Sequence, residues 1–228
     1  MKPDLRERRR DSLCDPPATP CARIGYNGRV TPTTRRRNAA PPREAVLAAA
    51  MNTISGRGLD GLTMAGLGRD VGMSSGHLLY YFRTKDELLL QTLEWSESQR
   101  GAKRRELLAR QVTVRERLDA YVDLYVPDGH RDPHWTLWLE VWNRSQDAAD
   151  DARARQAAIE RAWHRDLVAL LAEGISRGEL RAVDPDRFAA RLRALLDGFS
   201  VHVVVGVPGT GRAQVLAHVR EFIEDALI

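Results

Sequence analysis

The 228-residue sequence is 43% hydrophobic and 29% charged, which is the composition of a globular protein with a substantial core. It contains no run of roughly 20 apolar residues, which a membrane-spanning helix would need, and no apolar signal peptide at its start. We therefore expect a cytoplasmic protein with no membrane partner. Charge is uneven: residues 1–40 hold ten Lys and Arg against four Asp and Glu, whereas residues 106–228 hold sixteen against twenty. A basic N-terminal end favours nucleic acid as the partner there.

The first 41 residues are predicted to form a disordered basic extension. They are rich in proline, contain arginine triplets at 8–10 and 35–37, and lack apolar periodicity. The extension is either an arm that follows DNA phosphates or enters a minor groove, or a plain solvated segment, or the product of a wrongly assigned start. Cys14 and Cys21 lie in it at a spacing that matches no zinc site, so we expect them to be reduced and to bind no metal.

From Pro42 onward, apolar residues recur at helical spacing, and the alternation typical of strands is lacking. Proline, glycine and capping residues divide this part into nine predicted helices, which indicates an all-α bundle. We assign residues 42–88 to an N-terminal three-helix domain and residues 89–228 to a C-terminal helical bundle. The predicted helices cover about residues 42–56, 63–71, 74–82, 84–110, 114–126, 133–144, 148–176, 185–205 and 212–227.

Residues 63–82 carry the pattern most informative about function. Two short helices are joined by a turn at Gly72, which is the arrangement of a helix-turn-helix. Thr63 is placed to cap the first helix, and Ser74 or Ser75 the second. The second helix of such a motif enters the major groove of DNA. Thr84 to Glu87 form a predicted capping box that opens the next, long helix.

The stretches Gly58-Leu-Asp-Gly-Leu-Thr-Met-Ala65 and Tyr80-Tyr-Phe-Arg-Thr-Lys-Asp-Glu-Leu-Leu89 resemble the N-terminal domain of the TetR family of transcriptional regulators. The resemblance implies a homodimeric repressor that binds double-stranded operator DNA and is released from it by a small-molecule effector, without a cofactor. Its C-terminal bundle would then bind the effector and dimerise. The DNA-contacting residues that it implies are Thr63, Ser74, Ser75, Gly76, His77, Tyr80, Tyr81 and Lys85.

These assignments have plainer alternatives. Thr63 and Ser74 would cap helices in any case, Tyr80 would be a core residue if it faced inward, and Lys85 would be a solvated lysine outside this motif.

Two features depart from the common family pattern. Leu79 stands where many members have tyrosine, which removes one hydroxyl that could contact a phosphate. Gly66 and Gly68 lie inside the first motif helix, and each costs roughly 1 kcal/mol relative to alanine. This composition predicts a helix that is loose in the free protein and stiffens on DNA.

Two apolar stripes near the C-terminus are predicted to form the dimer interface. They lie on the helices at 185–205 and 212–227, and two such helices from each subunit can form a four-helix bundle about a two-fold axis. The alternative is that both stripes belong to the chain's own core. The stripe residues are Phe188, Leu192, Leu196, Phe199, Val203, Val215, Val219 and Phe222.

Aromatic residues concentrate in the middle of the C-terminal bundle, and three tryptophans share one face of the helix at 133–144. They form either an aromatic-lined pocket, with an acid nearby to favour a cationic ligand, or an ordinary core stripe. Glu140 points off the tryptophan face and is a poor candidate for that acid. The candidate ligand-binding residues are Tyr121, Tyr125, Trp135, Trp138, Trp142 and Trp163.

The sequence contains no phosphate loop, nucleophile turn, zinc-binding helix or dinucleotide fingerprint, so we do not expect an enzyme. His130 and His134 are four residues apart, but they span a predicted helix start and lack a third ligand, so we expect no metal site. The main alternative is an architectural DNA-binding protein that needs no effector.

Overall fold

The computed structural model describes residues 42–228, so the predicted disordered extension at residues 1–41, with Cys14 and Cys21, lies outside the described residues. Within residues 42–228 the chain forms nine α-helices, two short 3₁₀ turns and no strand, which confirms the all-α fold class. None of the helices in this part is long and apolar enough to cross a membrane. The helices are α1 (Arg43–Arg57), α2 (Met64–Val71), α3 (Ser75–Phe82), α4 (Lys85–Leu108), α5 (Val114–Tyr125), α6 (Pro133–Arg144), α7 (Asp150–Ser176), α8 (Pro185–Val205) and α9 (Arg212–Leu227).

Helices α1, α2 and α3 pack together and against the start of α4 around a small apolar core. Leu62, Leu67, Leu78 and Phe82 are each at most 1% exposed and fill this core. Leu78 and Phe82 are one helical turn apart, so α3 buries a single narrow stripe and leaves its opposite side to solvent.

Gly66 and Gly68 of α2 have a packing role in addition to their cost in helix propensity. A Cβ on Gly68 would lie 2.5 Å from the backbone oxygen of Met73, and a Cβ on Gly66 would lie 2.9 Å from Oγ1 of Thr63. The backbone N–H of Met73 donates to the oxygen of Gly68 at 2.7 Å, so two chain segments meet at this point. The glycines therefore permit close packing at the turn; the loosening of α2 in the free protein stays a prediction.

Helix α4 continues without a break across residue 88 and contacts α1 and α3 as well as α5, α6 and α7. Its N-cap is Thr84, whose Oγ1 accepts a hydrogen bond from the N–H of Glu87 at 3.0 Å. The predicted capping box is only half formed, because the carboxylate of Glu87 accepts hydrogen bonds from Arg155 of α7 at 3.0 Å. The box with both of its hydrogen bonds occurs instead at Thr113 and Glu116, at the start of α5.

The apolar stripes of α8 and α9 face mainly into the chain's own core, where α8 packs on α7 and α9 packs on α5 and α8. Only Phe199 and Phe222 among the eight predicted interface residues remain half-exposed. A side chain already covered by its own chain has almost no surface left to lose to a partner, so assigning the other six to a dimer interface was wrong. Those six are Phe188, Leu192, Leu196, Val203, Val215 and Val219.

Candidate functional site

The helix-turn-helix consists of α2, the turn at Gly72 and α3. Oγ1 of Thr63 accepts a hydrogen bond from the N–H of Gly66 at 3.0 Å, and Oγ of Ser74 accepts one from the N–H of His77 at 3.1 Å. Gly72 has φ 70° and ψ 26°, a left-handed conformation that side chains other than glycine rarely adopt. Both predicted caps are confirmed, and the turn between the helices is fixed by its glycine.

The outer side of α3 presents most of the predicted DNA-contacting residues to solvent. Ser75, Gly76 and His77 are exposed, and Tyr80 is 83% exposed, so the alternative that Tyr80 is a core residue was wrong. Tyr81 is half-buried, packs against the core and places its ring 5.3 Å from that of His77. A Cβ on Gly76 would meet no atom within 4 Å, so the start of α3 is open to a close approach.

A strained residue links α3 to α4. Arg83 has φ 57°, which is unusual for a residue other than glycine, and it is followed by the cap Thr84 and by Lys85 at the first position of α4. Lys85 is half-buried. The N-terminus of a helix carries unpaired N–H groups and a positive partial charge, and a lysine at this end adds a full positive charge. The acids of the same turn, Asp86 and Glu87, are paired with Arg144 and Arg155. With these acids paired, the start of α4 suits a phosphate.

Five of the six predicted ligand-binding residues line one cavity of about 20 Å³ inside the C-terminal bundle. The exception is Tyr121, which is fully buried away from the cavity and donates its hydroxyl hydrogen to the backbone oxygen of Trp163 at 2.9 Å. Its assignment to the cavity was wrong. The lining residues are Glu97 and Arg100 of α4, Tyr125 of α5, His134, Trp135, Trp138 and Trp142 of α6, Glu160 and Trp163 of α7, and Arg193 of α8.

The aromatic rings of this cavity form a continuous wall. The ring centre of Tyr125 lies 5.0 Å from that of Trp163 and 5.7 Å from that of Trp135. The ring of Trp142 lies 6.0 Å from Trp135 and 5.3 Å from Trp138. Trp135, Trp138 and Trp163 are each at most 6% exposed, so the same side chains serve as core and as cavity wall.

Glu97 places a carboxylate against this wall. Its Oε1 accepts a hydrogen bond from Nε1 of Trp138 at 2.8 Å and lies 3.0 Å from Nε2 of His134, and its Oε2 accepts one from Nε1 of Trp163 at 2.8 Å. The other ring nitrogen of His134 lies 2.9 Å from Oγ of Ser96. Burial raises the pKa of the Glu97 carboxyl, but the contacts with His134 and the tryptophans lower it by more. The net pKa is below its ordinary value.

A second carboxylate, Glu160 of α7, accepts a hydrogen bond from Nε1 of Trp142 at 3.0 Å. Sequence reasoning missed both acids because it searched near the tryptophans along the chain. Glu97 had a detectable signal, since it follows Leu90 and Leu93 at helical spacing on the buried face of α4. An acid at an apolar position of a helix is a candidate for a buried site.

Two arginines complete the cavity. Nε of Arg193 is buried and has no hydrogen-bond partner within residues 42–228, and the same holds for Nε of Arg100. Burial lowers the pKa of Arg193, but Tyr125 and Asp197 raise it by more. The Asp197 carboxylate accepts a hydrogen bond from the hydroxyl of Tyr125 at 2.5 Å, and burial raises its pKa. Nothing in the sequence pattern marks Arg193 or Asp197, because α8 reaches the cavity only through the fold.

Ion pairs connect two of the helices that line the cavity, α6 and α7, to the N-terminal half of α4, the helix that follows the helix-turn-helix. Arg144 of α6 pairs with Asp86 in the first turn of α4 at 2.6 Å, and it also holds Glu140, which does not line the cavity. Arg155 of α7 pairs with Glu94 of α4 at 2.6 Å and with Glu87. The cavity helices α6 and α7 are therefore both bound to the N-terminal half of α4.

The two histidines considered as metal ligands are separated in the structure. His134 contacts Glu97, whereas His130 lies beside Gly206. Over residues 42–228, no group of three or more His, Cys, Asp or Glu is placed to hold a metal ion.

A helix-turn-helix with an exposed second helix, joined by one continuous helix to an α-helical bundle, defines a DNA-binding transcriptional regulator. Residues 46–92 match the family described as "Bacterial regulatory proteins, tetR family", and residues 114–228 match the one described as "BetI-type transcriptional repressor, C-terminal". The chain belongs to the TetR family, with a C-terminal domain of the BetI type. Its class is therefore a regulator of transcription and not an enzyme.

Relatives and solved structures agree with this assignment. An "HTH-type transcriptional regulator BetI" from Burkholderia cenocepacia is 30% identical, over 77% of this chain and 90% of the relative. The regulator of the same description from Brucella anthropi is 26% identical, over 79% of this chain and 91% of the relative. A putative transcriptional regulator from Saccharomonospora viridis, solved in complex with choline, is 27% identical with a TM-score of 0.72, covering 80% of this chain and 95% of that chain.

Proposed function

We propose that the protein is a cytoplasmic, homodimeric repressor that leaves its operator when a small quaternary ammonium compound binds the aromatic cavity. The observation that carries the proposal is the wall of four tryptophans and one tyrosine around the Glu97 carboxylate. Aromatic faces attract a desolvated cation, and quaternary ammonium groups are the ligands that such cages bind. The choline bound in the Saccharomonospora viridis regulator is a compound of this class, which supports the proposal.

Binding of such a compound requires the cavity to open. A volume of about 20 Å³ has room for one water molecule, so a quaternary ammonium group would displace at least one aromatic ring. Trp142 is the ring that we propose to move, because it is the only one of the four lining tryptophans that is half-buried and therefore the least enclosed by its neighbours. Its displacement moves the end of α6, which carries Arg144 two residues further on.

The ion pairs at α4 offer a route from the cavity to DNA. A shift of α6 or α7 acts on α4 through Arg144 and Arg155, and α4 begins three residues after α3 ends. Two recognition helices must lie roughly 34–36 Å apart to read successive major grooves on one face of DNA. A change in the direction of α4 in each subunit alters that spacing, so both helices no longer dock together.

The DNA-reading surface in this proposal has two parts. His77 and Tyr80 at the exposed side of α3 approach base edges, Gly76 lets the phosphate backbone come close to the first turn of α3, and Lys85 neutralises a phosphate. The remaining implied residues, Thr63, Ser74, Ser75 and Tyr81, position the motif on the DNA backbone through their hydroxyl groups.

The effector claim predicts reciprocal coupling between ligand and DNA. Because choline favours the state that does not dock on DNA, saturating operator should weaken choline binding by the same factor by which choline weakens operator binding. A tenfold factor corresponds to about 1.4 kcal/mol. Calorimetric titration of choline into the free protein and into the operator complex measures it. Equal dissociation constants would contradict effector release, and they are the result expected of an architectural DNA-binding protein.

The dimer is proposed to form through the surface of α8 and α9 that the single chain leaves uncovered. On α8 this surface includes the small residues Ala194 and Gly198, which are exposed and permit close approach of helices. Phe199 is half-buried beside them and stacks on His218 of α9, with ring centres 5.7 Å apart. A palindromic operator requires two DNA-binding domains related by a two-fold axis, which is the reason for proposing a two-fold dimer.

Replacing Gly198 with Glu should abolish the dimer without unfolding the chain. A Cβ at position 198 meets no atom within 4 Å, and glutamate favours helix more than glycine does, so the single chain tolerates the change. In a close helix interface the carboxylate would be buried without a partner, which costs several kcal/mol. Sedimentation velocity should show a species of the chain mass, 25.6 kDa.

The matched control is Gly56→Glu, because Gly56 of α1 is also helical, exposed and free of neighbours within 4 Å. This variant should sediment as the dimer. A dimeric Gly198→Glu protein would place the interface elsewhere.

A further inference from the structure

We propose that the effector is zwitterionic: its quaternary ammonium group lies against the aromatic rings and Glu97, and its carboxylate pairs with Arg193. This inference rests on the proposed function of the cavity and specifies the second charged group of its ligand. Two observations support it. The cavity wall contains both acidic and basic side chains, and the acidic groups have hydrogen-bond partners whereas a buried N–H of Arg193 has none.

The cavity wall is not uniformly acidic. It carries two carboxylates, Glu97 and Glu160, and two guanidinium groups, Arg100 and Arg193. Asp197 lies beside Arg193 and offsets part of its charge. A site for a simple cation nevertheless gains nothing from guanidinium groups in its wall, because each repels the ligand in a region that water screens poorly. A ligand with one positive and one negative group matches a wall that contains both signs.

The acidic groups already have donors. Both oxygens of Glu97 are engaged by tryptophan N–H groups, and Oε1 of Glu160 accepts from Trp142 and from Gln156, each at 3.0 Å. Nε of Arg193, in contrast, is enclosed without an acceptor. A buried donor without a partner is costly, and a carboxylate is the acceptor that guanidinium groups bind best. The carboxylates thus already have hydrogen-bond donors, whereas Nε of Arg193 lacks an acceptor that a ligand oxygen could supply.

Arg193 is the better of the two anchors. Arg100 donates an Nη2 hydrogen to the backbone oxygen of Leu124, so its guanidinium is already held by α5. Arg193 approaches from α8, whereas Glu97 belongs to α4, so the two opposite charges lie on different walls of the cavity.

Three probes that share a quaternary ammonium group test this assignment by calorimetry: tetramethylammonium, choline and trimethylglycine, which adds a carboxylate. The wild-type protein should bind trimethylglycine at least about tenfold more tightly than tetramethylammonium, since a charge-assisted hydrogen bond is gained. Arg193→Gln should reduce this ratio to within about threefold, because it weakens trimethylglycine binding selectively: the lost partner is one that tetramethylammonium does not use. Arg193→Lys, which keeps the charge but not the planar fork, should retain part of the preference.

Arg165→Gln, an exposed change on α7 away from the cavity, should behave like the wild-type protein. Circular dichroism of each variant checks that the helices are intact. Equal wild-type affinities for trimethylglycine and tetramethylammonium, or an unchanged ratio in folded Arg193→Gln, would overturn the carboxylate assignment alone. If none of the three probes binds the wild-type protein, the proposed quaternary ammonium function fails, and this inference fails with it.

Discussion

Glu97→Gln should bind tetramethylammonium at least about tenfold more weakly than the wild-type protein, a loss of about 1.4 kcal/mol. The substitution removes the negative charge at the cavity wall while keeping the size of the side chain. It also replaces one acceptor oxygen by an NH₂ group, which must face an N–H of Trp138 or Trp163. Two donors cannot bond to each other, so the free energy of unfolding should fall by roughly 1–3 kcal/mol as well.

The control for this variant is Glu106→Gln, which changes an exposed acid on the same helix and should leave both quantities unaltered. Calorimetry measures the affinity, and urea denaturation measures the stability. Wild-type affinity in a folded Glu97→Gln protein would show that the carboxylate is not part of the ligand site.

The pH dependence of stability gives a second readout of Glu97. Its carboxyl has a pKa below the ordinary value of 4.5, so ionisation of this group favours the folded state. Its contribution is therefore complete above pH 4.5 and is lost as the pH falls through the lower pKa of the folded state. The difference in unfolding free energy between the wild-type and Glu97→Gln proteins should shrink in that acidic range.

Gly76→Ala should weaken operator binding by about tenfold or more while slightly stabilising the protein. Alanine favours a helix over glycine by up to about 1 kcal/mol, and the added Cβ meets nothing within 4 Å in the free protein. On DNA, the same methyl group would lie between the start of α3 and the phosphate backbone, where glycine permits a close approach. Stability and affinity should thus change in opposite directions.

Gly56→Ala provides the comparison, since it adds the same methyl group to an uncrowded position of α1. It should stabilise the protein and leave operator affinity unchanged. Fluorescence anisotropy with labelled operator at a fixed salt concentration measures the affinity, and thermal unfolding measures the stability. If Gly76→Ala binds the operator as tightly as the wild-type protein, the first turn of α3 does not contact DNA closely.

The helix-turn-helix could be predicted from sequence because its signals are local. Thr63 and Ser74 cap the helices that immediately follow them, and Gly72 takes the left-handed conformation of the turn between them. The exposure of Tyr80 was harder to predict, since an aromatic residue on a helix is commonly buried.

The cavity and the dimer surface depend on contacts between distant parts of the chain, and there sequence reasoning was incomplete. Tyr121 and Tyr125 are one helical turn apart on α5, and both contact Trp163 of α7. Of the two, only Tyr125 also contacts Trp135 of α6 and lines the cavity, a difference that depends on how distant helices pack. Leu196 shows the same limit on α8. The spacing of apolar residues on α8 identifies an apolar face, but it does not show whether another helix of the same chain or a second subunit covers that face. In the structure, helices of the same chain cover it.

The concentration of tryptophan around the cavity gives the protein an intrinsic optical reporter. Four of its five tryptophans line the cavity, and the fifth, Trp95, is half-buried on α4 outside it. Indole emission therefore originates mostly from the walls that a ligand would touch, so binding can be followed without a label. A change in emission on adding operator alone would have another origin, since no tryptophan lies in α1, α2 or α3. Such a change in emission would show that binding of the helix-turn-helix to DNA rearranges the distant C-terminal bundle.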